Sequence, residues 1–104
     1  MTRVCLMTCP NPETAQSLAK QLLERRLVAC VNLVPQVTSL YWWDGQIQED
    51  SEILLIAKTV ADRIEQLKMV LPELHPYDVP ELVVLPVEEG LPAYLNWVKT
   101  EARG

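Results

Sequence analysis

Phenylalanine is absent, glycine occurs three times and histidine once in these 104 residues. So little glycine leaves no flexible linker, and the length suits one core, so a single domain over 1–104 is expected. The longest apolar runs, Leu27 to Val31 and Ile53 to Ala57, have five residues, far short of the ~20 needed to cross a bilayer. The stretch Val4 to Met7 is too short for a signal-peptide apolar core, so the expectation is a cytosolic protein without membrane insertion. Basic residues number 9 against 14 acidic, and the net charge of −5 repels phosphate backbones. With no Lys/Arg stripe to offset it, nucleic acid is excluded as a partner. Cys5, Cys9 and Cys30 form an odd set without C-x-x-C spacing, which fits free thiols in a reducing compartment. P-loop, GxGxxG and HExxH motifs are missing, and the cysteines fall on apolar strands that suppress thiolate formation, so no catalysis is expected.

What is present is a regular order of elements. Residues 3–9 read as a buried strand closed by Pro10. Asn11 is placed as an N-cap with Pro12 at the first helical position. Ala15, Leu18, Ala19, Leu22 and Leu23 form the apolar stripe of that helix, and Arg25 and Arg26 suit its C-terminal dipole. Val28 to Val34 returns to strand, passes Pro35 and resumes through Leu40 to Trp43. Asp44-Gly45 signals a type I′ hairpin turn, and Ile47 to Lys58 answers it. Thr59 with Asp62 resembles a capping pair ahead of a helix marked by Ile64, Leu67, Leu71 and Leu74, which Pro72 must kink or interrupt. Glu81 to Val87 is a fourth strand, and Leu91 to Lys99 a final helix. This β-α-β-β-α-β-α order gives an α+β fold, a ferredoxin-like sandwich with an extra C-terminal helix and a long central hairpin.

Two features point outward. The strands are apolar on both faces, whereas a sheet with one wet face should alternate apolar and polar residues. Two helices cover one face only. The hairpin is also too long: arms of about fifteen residues reach roughly 50 Å, against a radius of gyration of ~13 Å for such a chain. Tyr41, Trp42 and Trp43 ride on the overhang, where aromatics serve as interface anchors. Self-association is expected.

The candidate site residues lie around the only histidine. His75-Pro76-Tyr77-Asp78-Val79-Pro80-Glu81 places a titratable ring in a stiff loop, because residues before proline leave the α region. His75 is a candidate metal ligand, although a lone imidazole is a weak site and the plainer reading bonds it to a backbone carbonyl. Cys5, Met7 and Cys9 share one strand face, where they read as core rather than as a soft copper site. Glu52 and Lys58 are charges within an otherwise apolar strand and need partners. With Tyr77 they are candidates for a cleft between subunits.

The segments Ala29 to Pro35, Thr38 to Tyr41, Trp43-Asp44-Gly45, Glu52, Lys58-Thr59, His75-Pro76-Tyr77 and Val79-Pro80-Glu81 together resemble the CutA divalent-cation tolerance proteins. The likeness continues through Leu85-Pro86-Val87, Gly90 and Tyr94-Leu95-x-Trp97. The resemblance implies a ferredoxin-like subunit in a homotrimer whose hairpins wrap their neighbours, similar in architecture to PII signalling proteins. It implies a link to copper and other divalent metal ions, and the PII likeness adds an alternative, a small organic anion or nucleotide bound between subunits. Enterobacterial members have a proposed cysteine ligand where this chain has Met7 and a histidine where it has Leu74. Of that set only His75 carries over.

Overall fold

A computed structural model describes all 104 residues. Strand β1 (Thr2–Cys9) leads into helix α1 (Pro12–Glu24), then β2 (Cys30–Trp43) and β3 (Gln46–Val60). A 3-10 turn (Ala61–Arg63) enters helix α2 (Ile64–Leu74), followed by β4 (Val83–Pro86) and helix α3 (Pro92–Glu101). The sheet order is β2-β3-β1-β4 with antiparallel neighbours. This is the ferredoxin-like arrangement that the element order predicts. No helix is long and apolar enough to cross a membrane.

Local chemistry explains most element ends. Asn11 is extended, and its Oδ1 accepts the Thr14 N–H at 2.8 Å with Pro12 following, as expected. Such a cap is worth about 1 kcal/mol. The arginines lie beyond the helix rather than in its last turn: Arg26 takes φ 58° and lets the Leu27 N–H reach back to the Leu22 carbonyl. That is the position glycine usually fills, because a left-handed backbone crowds a Cβ. The hairpin turn is type I′ as predicted, with φ of 53° at Asp44 and 75° at Gly45. Pro35 lies in a bulge between Val34 and Val37, where Gln36 carries the positive φ.

Two expectations are corrected and one is narrowed. Thr59 does not cap a helix. It belongs to β3, and its buried hydroxyl donates to the Leu27 carbonyl at 2.7 Å, tying the strand to the segment that follows α1. Of the two outcomes open to Pro72, interruption does not occur: α2 runs on for two residues, and the His75 N–H still reaches the Leu71 carbonyl at 3.0 Å. Leu23, counted in the stripe of α1, is exposed, while Ala15, Leu18, Ala19 and Leu22 are buried.

The two faces of the sheet differ in cover. Cys5, Met7, Cys9, Leu55 and Ala57 are fully buried with Leu18 and Leu22 of α1 and Leu67 and Leu71 of α2. The sulfur-bearing triad is therefore core, as its strand spacing suggests. Leu6, Leu54 and Ile56, on the opposite face, are only half-buried, and Val34, Val83 and Leu85 are exposed. Helix α3 covers one end of that face, packing Val98 and Ala102 on Val60 and Ala29.

The hairpin overhangs as expected. Strand β1 pairs with β3 only over Ile53 to Val60, so Gln46 to Glu52 is held by β2 alone. The subunit is elongated, 44 × 26 × 22 Å, with a radius of gyration of 14.1 Å.

Candidate functional site: a cavity between the hairpin and the 76–81 loop

The proline-bracketed loop is fixed by its histidine. His75 closes α2 with extended backbone (φ −93°, ψ 140°), as the following proline requires. Its ring is nearly buried, at 7% exposure. Nδ1 accepts the Tyr77 N–H at 3.1 Å, so in the neutral ring the proton sits on Nε2. Nε2 then donates to the Thr8 carbonyl at 2.7 Å. The Tyr77 ring stacks tilted on His75, with centroids 4.8 Å apart. Its hydroxyl donates to Glu52 Oε2 at 2.7 Å. A chain of contacts thus runs from the end of β1 through the loop to the start of the overhang on β3. Within this arrangement both nitrogens of His75 are engaged.

Cys9 lies beside the ring, its Sγ 3.7 Å from Nε2. The pairing is not an activated nucleophile. Burial first, and the Glu52 charge second, push the Cys9 thiol up to about 11, and burial raises Cys5 to about 11 as well. Both remain thiols at neutral pH. The Tyr77 hydroxyl is likewise held protonated well above the usual phenol range, by burial and then by its hydrogen bond to Glu52.

Between loop, overhang and the end of β1 lies a cavity of about 760 Å³. Tyr41 and Trp43, two residues apart on β2, face it with Tyr77, and Glu52, Asp78 and Glu81 supply carboxylates. Tyr41 also donates its hydroxyl to Asp50. The lining contains no Lys, Arg or His. No three His, Cys, Asp or Glu side chains converge anywhere in the chain as a metal-binding group.

Of the three residues expected in a cleft, the structure brings Glu52 and Tyr77 into contact and leaves Lys58 apart. Lys58 lies six residues further along β3, roughly 20 Å at ordinary strand rise, and donates to the Asn32 side chain. His75 sits behind the cavity wall as its anchor. Thr8, whose carbonyl holds the ring, and the placing of Tyr41 and Trp43 on the cavity were missed. The aromatic run was visible, but the strand pairing that sets it across from the loop was not.

The chain matches the family described as CutA1 divalent ion tolerance protein over residues 3–101. It is similar to mouse protein CutA, 49% identical over 88% of this chain, although the match spans only 52% of the mouse protein's length. Among solved structures it resembles a divalent cation tolerance protein (Cut A1) from Thermus thermophilus, with a TM-score of 0.96, 47% identity and coverage of 99% of this chain and all of that one. It also resembles a PII-like protein CutA from a Nostoc species, with a TM-score of 0.89, 40% identity and 97% of both chains covered. With residues 3–101 of the 104 matched, this chain belongs to the CutA1 divalent ion tolerance proteins.

Proposed function

We propose that the chain acts without catalysis, as a cytosolic homotrimer in the response to divalent cations, and that cations meet it weakly in the cavity between hairpin and loop. One observation carries the choice of ligand sign: three carboxylates and no basic side chain line that cavity. Opposite charge in a partly desolvated cleft favours a cation and opposes the organic anion or nucleotide of the alternative reading. Lys58, the cation such an anion would need, is held elsewhere by Asn32. Weak binding follows from the absence of convergent ligands. Copper(II), which favours imidazole, has a further route at His75 if the ring gives up Tyr77 or Thr8.

The trimer is supported by the bare sheet face and the overhanging hairpin, which leave apolar surface that one subunit cannot cover. Buried, protonated thiols support the non-enzymatic reading, and three free cysteines fit a reducing compartment. A thermal-shift comparison tests the proposal, since a ligand of the folded state raises its melting temperature. Magnesium, manganese and copper(II) ions should raise it and Glu52→Gln should reduce the effect. Loss of the copper(II) effect in His75→Ala would assign copper to the ring. Stabilisation by nucleotides or carboxylate metabolites, with none by the ions, would replace this reading with the PII-like one.

A further inference from the structure

The cavity is much larger than a metal ion needs. At about 760 Å³ this half-open cleft falls within the size range of small-molecule sites. Its lining combines two chemistries, the carboxylates of Glu52, Asp78 and Glu81 and the rings of Tyr41, Trp43 and Tyr77. Hydrated hard cations use the first and gain little from the second.

Glu52 decides what is missing. It is only 7% exposed. Oε2 accepts the Tyr77 hydroxyl, and neither oxygen forms an ion pair with any Lys, Arg or His of the subunit. Oε1 has no hydrogen-bond partner, yet no unpartnered polar atom in the chain is sealed from solvent, so Oε1 opens toward the cavity it lines. A carboxylate buried to this degree without a counter-charge is costly, and the cost falls when a cation enters beside it. The negative net charge of the chain adds to the attraction.

We infer that the cavity takes an organic polyammonium ion, a small aliphatic di- or triamine whose cationic centres lie between the three carboxylates and the three aromatic rings. This rests on the reading above that the cavity accepts cations. It explains what a metal ion leaves unused. Ammonium groups donate several hydrogen bonds to separated carboxylates, which need not converge on one point. Ring faces stabilise an ammonium or its adjacent methylene through the quadrupole of the π system. An aliphatic chain between charges fills the length of the cavity against Tyr41 and Trp43.

The test is calorimetric titration of the whole chain with spermidine, and separately with magnesium chloride, at physiological salt. Spermidine should bind, Glu52→Gln should weaken it by about tenfold or more, and Trp43→Leu should weaken it several-fold. Glu65→Gln, on the exposed face of α2, should leave it unchanged. If Glu52→Gln unfolds, the Asp78→Asn, Glu81→Gln double variant on the exposed loop replaces it, with the same expectation. Spermidine binding that these changes do not alter would be general surface attraction and would overturn the inference. Magnesium binding that depends on Glu52, without spermidine binding, would overturn it while leaving the divalent reading standing. Absence of binding by either would overturn both. Spermidine binding through Glu52 and Trp43 without magnesium would uphold the inference and remove the divalent ion from this cavity.

Discussion

The two faces of the sheet are built from the same kinds of residue and meet different fates. On strand β3, Leu55 is fully buried beneath the helices, while its neighbour Ile56 points the other way and is only half-buried. The same contrast separates Met7 from Leu6 on β1. Alternation of burial without alternation of polarity means that the second face is composed as a core and lacks its cover within one chain. Beyond Ile53, where β1 stops pairing, the side of the hairpin opposite Tyr41 and Trp43 shares that condition: Trp42 is 72% exposed. Polar residues concentrate where no cover is expected, in the turn at Asp44 and along Glu49 to Ser51.

The largest effect is expected at the overhang. If a neighbouring subunit covers that side of the hairpin, Trp42 truncated to alanine costs about 3–5 kcal/mol. The Trp42→Ala variant should therefore melt well below the wild type, and its melting temperature should depend more steeply on protein concentration across a hundredfold dilution. Wild-type melting with no concentration dependence would make Trp42 a surface feature.

A sharper version uses adjacent residues. Leu55→Ala should cost about 2–5 kcal/mol as a core truncation whether or not subunits assemble. If a second copy completes its surroundings, Ile56→Ala should cost nearly as much, with its loss appearing as weakened association. In an isolated subunit the half-buried Ile56 would lose far less than Leu55, so urea denaturation of the two variants separates the cases.

The covered face also makes a pH prediction. Folded Cys5 and Cys9 have thiols raised from the ordinary 9.0 to about 11. A raised value means that folding favours the protonated form. That contribution is complete below pH 9 and is lost as pH rises toward 11. Melting temperature should fall over this window, and Cys9→Ala should flatten the fall. An unchanged slope in the variant would show that its thiol carries no such linkage.

The sequence made the architecture readable because its signals are local. Asn11-Pro12 starts a helix by side-chain capping, Asp44-Gly45 turns a hairpin by permitting positive φ, and the stripe of α1 buries four of its five members. Thr59 was misread because a threonine before a helix looks like a cap, while its actual partner, the Leu27 carbonyl, is 32 residues away. The site was half legible for the same reason. His75 and Tyr77 announce a rigid loop, and Glu52 announces a charge that needs a partner, but only the β1–β3 register sets Glu52 next to the strand end that anchors His75. Lys58 looked equivalent to Glu52 in sequence, and within one chain six residues of extended strand separate the two.

The claim that the bare face and the overhang are interface is tested most directly by sedimentation equilibrium of the wild-type chain at micromolar concentration. The account predicts a single species of three times the 11.8 kDa subunit mass, and a species of 11.8 kDa would contradict it.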